Sequence, residues 1–119
     1  MKIALIGYGK MGKAIAEIAE ERGHEIVARL TTTPTAQDIE GADVAVEFTN
    51  PDAAFGNIKT CLEAGVPVVS GTTGWLHRRG EIEKITAETG SAFLYGSNFS
   101  LGVNLFFALN EKLAKLMQA

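Results

Sequence analysis

Three glycines near the amino terminus have the spacing of a backbone that binds phosphate groups. Gly7, Gly9 and Gly12 follow an apolar run at residues 3–6, and a helical pattern begins directly after them. The first glycine permits a tight turn, the second lets backbone approach a pyrophosphate, and the third lets helix and strand pack closely. Free N–H groups and the helix dipole then favour an anion without a basic side chain. This segment predicts a dinucleotide site.

The same residues also match the start of a nucleoside triphosphate loop. Gly7 to Lys13 reads G-x-x-x-x-G-K. That loop needs Ser or Thr at the next position to hold magnesium. Ala14 occupies the position, so the triphosphate interpretation lacks its metal ligand and is the weaker alternative.

A second candidate turn is rich in hydroxyl groups. Gly71, Thr72, Thr73 and Gly74 follow an apolar strand predicted over residues 66–70. In open parallel sheets, ligands bind beyond the carboxyl ends of the strands, which is where this turn would lie. From the residues alone, the two threonines could equally bond to their own backbone.

The elements that must position these turns alternate along the chain. Strands are predicted over residues 2–6, 24–30, 43–48, 66–70 and 92–95, and the helices between them start after Gly9, at Asn50-Pro51 and at Leu76. Gly23, Gly65 and the end of the 76–89 segment close these helices, and Gly80 is a weak point inside the third. The first helix should bury one apolar stripe, formed by Met11, Ala14, Ile15, Ile18 and Ala19. The alternation predicts an α/β fold, a Rossmann-type doubly wound parallel sheet.

The last segment differs from the rest. One predicted helix carries a long apolar stripe, formed by Leu105, Phe106, Leu109, Leu113, Leu116 and Met117. The stripe either folds back on the sheet or leads into a further domain. We therefore predict a dinucleotide-binding domain over residues 1–98, and a hinge and first helix toward a carboxyl-terminal substrate domain over residues 99–119.

Composition indicates one globular domain with a sizeable core. The chain has 119 residues, 46% of them hydrophobic, and its 11 basic and 14 acidic residues give a net charge of -3. This charge gives no reason to expect nucleic acid or a membrane as partner. The single Cys61 cannot form an internal disulfide, and neither a signal sequence nor a membrane-spanning run is evident. A cytoplasmic protein without a metal site is expected.

Four segments together resemble the 4-hydroxy-tetrahydrodipicolinate reductase family, also called dihydrodipicolinate reductase. They are the glycine turn at 7–12, Val-Glu-Phe-Thr at 46–49, Gly-Thr-Thr-Gly at 71–74 and Asn-Phe-Ser-Leu-Gly-Val-Asn at 98–104. The last two are more specific than the glycine turn, which many dehydrogenases carry. The resemblance implies NADPH or NADH as cofactor, a cyclic imino dicarboxylate as substrate, a place in lysine biosynthesis through diaminopimelate, and a homotetramer.

The resemblance also implies which residues bind the cofactor. In the family, the glycine turn holds the pyrophosphate, the segment at 71–73 lies along the nicotinamide and its ribose, and the segment at 96–99 closes the site. The implied cofactor-binding residues are Gly7, Tyr8, Gly9, Lys10, Met11, Gly12, Gly71, Thr72, Thr73, Gly96, Ser97, Asn98 and Phe99.

The end of the second strand bears on the choice between NADH and NADPH. A Rossmann unit that selects NADH usually has Asp or Glu there to bond the ribose 2′-hydroxyl, whereas this chain has Arg29, Leu30 and Thr31. Arg29 and the hydroxyls of Thr31, Thr32 and Thr33 could donate to a 2′-phosphate. We predict dual or NADPH-leaning use; alternatively, Arg29 simply lies on the exposed side of the sheet.

Catalytic residues are not expected in this chain. Hydride transfer needs a proton donor and groups that hold the substrate carboxylates. The family carries these in a His-His motif and an Asp-Ala-Pro-Ser-Gly-Thr motif beyond Ala119. His24 is interpreted as a surface turn residue, and His77, beside Arg78 and Arg79, as part of a solvated helix start rather than a carboxylate site.

The isolated chain is therefore expected to bind nucleotide without turnover. Two alternatives stay open at this point. The chain could be a nucleotide sensor or interaction module that uses the apolar stripe of its last helix as an interface. Whether the chain self-associates through that helix is a separate open point. It could also be the amino-terminal half of another two-domain dehydrogenase, acting on a sugar or an amino-acid semialdehyde.

Overall fold

The computed structural model describes residues 1–96, so the hinge and helix predicted for 99–119 lie outside the described residues. The elements in chain order are β1 (Lys2–Ile6), α1 (Lys10–Glu21), β2 (Glu25–Leu30), β3 (Val44–Glu47), α2 (Pro51–Glu63), β4 (Val68–Ser70), a short 3₁₀ helix (Leu76–Arg78), α3 (Arg79–Thr89) and β5 (Phe93–Tyr95).

The described residues form one five-stranded sheet in the order β2-β1-β3-β4-β5. All four strand pairs are parallel, and β1 lies between β2 and β3. From β1 the chain goes first outward to β2 and then back past β1 to β3. The order therefore reverses at β1, and loops leaving β1 and β3 diverge from adjacent strand ends. Such a switch point is where open α/β sheets bind ligands.

Helices cover both faces of the sheet. On one face, α1 packs Ile15, Ala16 and Ala19 against Ile3 and Leu5. On the other face, the buried residues come mainly from α2, α3 and the strands, among them Ala54, Ile58, Leu62, Ile82 and Ala4. The predicted doubly wound α/β fold is confirmed.

The buried stripe of α1 differs from the prediction. Gly12, Ile15, Ala16 and Ala19 are buried, whereas Met11, Ala14 and Ile18 are only half-buried. Gly12, Ala16 and Ala19 are small, so the helix axis can approach the sheet closely while larger side chains flank the contact.

Other corrections concern the ends of elements. The second strand begins at Glu25 rather than at His24, and β3, β4 and β5 are shorter than predicted. The predicted helix over 76–89 is divided, because the chain leaves the buried Trp75 through a tight turn in which the Arg78 N–H donates to the Trp75 carbonyl at 2.9 Å. Gly80 consequently lies in the first turn of α3. Within residues 1–96, no helix has the length and apolar character to cross a membrane.

Candidate functional site

The glycine turn after β1 is shaped by close backbone contacts. Gly7 has a φ of +96°, and its N–H donates to the Leu30 carbonyl at 2.8 Å. A Cβ at Gly7 would lie 2.0 Å from the Phe48 carbonyl oxygen, and one at Gly12 would lie 2.3 Å from the Gly7 carbonyl oxygen. Both positions therefore require glycine for the fold itself.

Gly9 differs from Gly7 and Gly12, because no neighbouring atom of the protein excludes a side chain at this position. A Cβ there would meet nothing within 4 Å. Gly9 is the N-cap residue of α1, offers no side chain to accept from the helix N–H groups, and is followed by a first turn without acidic residues. The open space and the free N–H groups together fit an anion that approaches the backbone closely.

A cavity of about 310 Å³ joins the two turns singled out from the sequence. Its residues are Gly9, Lys10, Met11, Gly12, Phe48, Thr49, Pro51, Gly71, Thr72 and Thr73. The helix N-terminus forms one side and the turn after β4 forms the other. The cavity thus lies at the carboxyl ends of the strands, at the switch point of the sheet.

The turn after β4 is anchored by Trp75. This side chain is 1% exposed, and its indole Nε1 donates to the Thr72 carbonyl at 2.6 Å. Its ring packs edge-on against Phe93 and Tyr95, with centroid distances of 5.7 and 6.0 Å. A Cβ at Gly71 would lie 1.9 Å from the Phe48 ring, so a side chain there would displace this ring.

A buried polar cluster lies beneath the same turn. The Glu47 carboxylate, at 0% exposure, accepts hydrogen bonds from Ser70 Oγ at 2.7 Å and Thr72 Oγ1 at 2.8 Å. It also accepts from the Thr49 hydroxyl. The Thr49 N–H donates to Thr72 Oγ1 at 2.9 Å, which connects the ends of β3 and β4.

A second cavity, of about 210 Å³, lies on the β2 side of the glycine turn. Its residues are Gly7, Thr31, Thr32, Thr33, Thr49, Asn50, Ala53 and Asn57. Asn57 is 2% exposed; its Nδ2 donates to Thr49 Oγ1 at 3.3 Å, while Oδ1 has no hydrogen-bond partner within residues 1–96. A buried acceptor without a donor is costly, so this oxygen is suited to a donor on a ligand.

Comparison with known proteins bears directly on this arrangement. The family described as "Dihydrodipicolinate reductase, N-terminus" matches residues 1–99. The chain belongs to this family. It is 52% identical to a 4-hydroxy-tetrahydrodipicolinate reductase of Christiangramia forsetii over 99% of this chain and 50% of that protein. A Staphylococcus aureus protein of the same name is 43% identical over 62% of this chain and 34% of that protein. The chain therefore spans half or less of the length of these curated relatives.

Solved structures share the fold. A Streptomyces aurantiacus imine reductase matches with a TM-score of 0.63 at 21% identity, over 80% of this chain and 40% of that one. A hyperthermophilic archaeal homoserine dehydrogenase in complex with NADPH matches with a TM-score of 0.63 at 17% identity, over 81% and 43%. At such identities the likeness concerns the Rossmann-like architecture.

In this reductase family member, Tyr8 and Arg29 lie on the α1 side of the sheet. Arg29 Nη2 is 2.6 Å from Glu20 Oε1, with 41% and 54% of the two side chains exposed. The Tyr8 ring lies 5.9 Å from Lys13 Nζ and 5.8 Å from Arg29 Cζ. Thr31 lines the second cavity, whereas Arg29 lines neither the first nor the second.

The remaining predicted site residues divide into two groups. Gly96 is buried, and its N–H donates to the Ser70 carbonyl at 3.0 Å, which places it beyond β5 next to the end of β4. Ser97, Asn98 and Phe99 lie outside the described residues. The sequence analysis assigned no site role to Glu47, Asn57 or Trp75, although Glu47 lies in the Val-Glu-Phe-Thr segment that carries the family resemblance. A charged residue in the otherwise apolar Val-Ala-Val-Glu strand was the available signal for Glu47.

The two histidines differ from each other. His24 was interpreted as a surface turn residue, but it is half-buried, and its Nδ1 lies 3.1 Å from the Met1 amine. Burial, and then the positive charge of the amino terminus, lower the pKa of His24. His77 is exposed in the 3₁₀ helix, as a solvated helix start requires. Within residues 1–96, no group of His, Cys, Asp and Glu could hold a metal ion.

Proposed function

We propose that this chain is the NAD(P)H-binding part of a 4-hydroxy-tetrahydrodipicolinate reductase. The whole enzyme would reduce the cyclic imino dicarboxylate to tetrahydrodipicolinate in the diaminopimelate route to lysine. The observation that carries the proposal is the cavity in which Gly9 and the free N-terminus of α1 face the turn at 71–73. The homoserine dehydrogenase with a similar fold is described as a complex with NADPH, which supports a nicotinamide coenzyme.

We propose that the coenzyme lies across the site in one direction. Its two phosphates would bind the N–H groups at the start of α1. In a Rossmann unit the adenosine ribose lies near the end of the second strand, so the cavity with Thr31 and Asn57 would hold the adenosine half. The nicotinamide half would extend toward Gly71, Thr72 and Thr73.

The residues of this chain would bind and orient rather than transfer protons. The coenzyme, when bound, supplies the hydride, and the protein fixes its position. We assign the proton donor, the groups for the substrate carboxylates and the tetramer contacts to the part of the relatives that this chain does not span. We likewise propose that the other residues implied by the family resemblance, including Ser97, Asn98 and Phe99, bind the coenzyme. We also propose that the whole enzyme works in the cytoplasm.

Coenzyme titration tests the proposal. Trp75 is the only tryptophan of the chain, so energy transfer from it to a bound reduced nicotinamide gives a direct signal. We expect saturable binding of NADPH or NADH by the folded chain, without oxidation of the coenzyme when the imino acid is added. A folded chain that binds neither coenzyme would contradict the proposal, as would turnover at rates typical of enzymes.

A further inference from the structure

We propose that Glu47 is a positioning residue for the nicotinamide half of the coenzyme site. Its buried carboxylate would hold the Gly71–Thr73 turn in the conformation that faces the cavity. The inference rests on the proposed coenzyme function, and deepens it by naming a residue that acts through the turn without touching the coenzyme.

The placement of Glu47 requires an explanation beyond packing. It is the last residue of β3, after Val44, Ala45 and Val46, and it is fully buried. A buried carboxylate is costly unless several donors satisfy it, and apolar replacement of buried charges is often neutral or stabilising. For the packing of β3 alone, an apolar side chain would avoid this cost.

The donors to Glu47 come from the segments that must be held together. Ser70 is paired with Glu47 across β3 and β4, Thr49 follows β3, and Thr72 lies in the turn itself. One carboxylate thus connects two strand ends to the turn. Because the Thr72 hydroxyl donates to Glu47 and also accepts from the Thr49 N–H, it is engaged on the protein side.

The turn is fixed from two directions. The Thr72 side chain is held by Glu47, and the Thr72 carbonyl is held by the Trp75 indole at 2.6 Å. Thr73, next along the chain, is exposed and lines the cavity. Loss of the Glu47 contact should let the turn move, while the start of α1, on the opposite side of the cavity, keeps its shape.

The experiment compares a whole coenzyme with a part of it. In the 119-residue chain, Glu47→Gln replaces one acceptor oxygen by an amide that donates, so at least one hydroxyl loses its acceptor. We expect at least tenfold weaker binding of NADPH or NADH, but less than a twofold change for ADP, which has both phosphates and no nicotinamide. Glu63→Gln, an exposed change on α2, is the matched control and should alter neither affinity.

If Glu47→Gln weakens the binding of ADP as much as that of the dinucleotide, the inference is overturned. It is also overturned if Glu47→Gln weakens the binding of neither. If the unchanged folded chain binds neither dinucleotide, the proposed function itself fails, and the inference fails with it. If the unchanged chain binds the dinucleotides but Glu47→Gln weakens ADP binding equally, only the inference is overturned and the proposed function stands.

Two variants at Thr72 keep the test decisive if Glu47→Gln does not fold. Thr72→Val removes the hydroxyl and keeps the shape, so we expect the same selective loss of dinucleotide binding and a shift in Trp75 emission. Thr72→Ser keeps the hydroxyl and should recover most of the dinucleotide affinity that Thr72→Val loses, with unshifted emission. Dinucleotide binding by Thr72→Val equal to that of the unchanged chain would overturn the inference.

Discussion

The first two helices begin in similar places and in opposite ways. Both start after the carboxyl end of a central strand, β1 or β3. At α2, Asn50 Oδ1 accepts from the Ala53 N–H at 3.0 Å, Pro51 occupies the first turn, and Asp52 adds a negative charge there. At α1 the N-cap is Gly9 and the first turn has no acidic residue. The protein satisfies the positive end of α2 itself and leaves that of α1 without a side-chain cap, an arrangement that favours an anion.

The largest expected effect comes from making α1 begin like α2. Gly9 has φ -84° and ψ -154°, which Asp can adopt, and a carboxylate there would accept from the N–H groups of the first turn. We expect Gly9→Asp to raise the free energy of unfolding by about 0.5 kcal/mol and to weaken NADPH and NADH binding at least 100-fold.

Urea unfolding and coenzyme titration measure the two effects of Gly9→Asp separately. Gly9→Asn is the matched control, because it supplies the same cap without the charge and should weaken binding less. Coenzyme affinity unaffected by Gly9→Asp would show that the open end of α1 is not the phosphate site.

Cys61, on the buried face of α2, provides a pH test of stability on the α2 side of this comparison. Burial, followed by the nearby Glu47 charge, raises the pKa of the thiol from 9.0 to about 12. The folded state therefore keeps the proton where the unfolded state releases it, so this stabilisation is complete below pH 9 and is lost as the pH rises toward 12. Between pH 8 and 10 we expect Cys61 to lower the free energy of unfolding by about 1.4 kcal/mol.

The measurement is the pH dependence of urea unfolding, compared with that of Cys61→Ala. Other groups titrate in the same range, so the difference between the two slopes, rather than either slope, reports on Cys61. Identical slopes would contradict the assignment. Coenzyme affinity at pH 8 should change less than twofold in Cys61→Ala, because the side chain is fully buried away from both cavities.

A smaller effect is expected at the cap of α2. Asn50→Ala removes the hydrogen bond to the Ala53 N–H and should lower the free energy of unfolding by about 1 kcal/mol. Asn50→Asp keeps the acceptor and should restore most of this loss. Because Asn50 also lines the second cavity, we expect at most a fivefold change in coenzyme affinity for Asn50→Ala. A 100-fold change would mean that the start of α2 matters for coenzyme binding as much as the start of α1.

The sequence predicted the local features of the site and missed those that depend on neighbouring strands. Glycine and capping signals at Gly7, Gly12 and Asn50 act within a few residues, so they could be interpreted directly. The contacts of Glu47 join residues 23 and 25 positions apart, and follow only from the pairing of β3 with β4. The strand order likewise depends on packing across the whole sheet, which no single segment specifies.

The same reasoning explains the errors. Apolar spacing predicted which side of α1 is buried, but the small size of Gly12 and Ala16 decided which residues lie closest to the sheet. His24 looks like a turn residue in sequence, and its contact with the Met1 amine depends on β1 and β2 lying side by side.

The carboxyl-terminal end of α1 bears on the choice between NADPH and NADH. Glu20, in its last turn, holds Arg29 at 2.6 Å, and this exposed ion pair is worth at most about 1 kcal/mol. A 2′-phosphate could therefore compete with Glu20 for the guanidinium.

We expect Arg29→Leu to weaken NADPH binding about fivefold, the equivalent of one charge-assisted contact, and to change NADH binding less than twofold. Glu20→Gln, which releases Arg29, should instead tighten NADPH binding by about twofold to threefold. Equal changes for both coenzymes in Arg29→Leu would mean that the guanidinium serves only α1 and Tyr8, and the preference would then depend on the hydroxyls at 31–33.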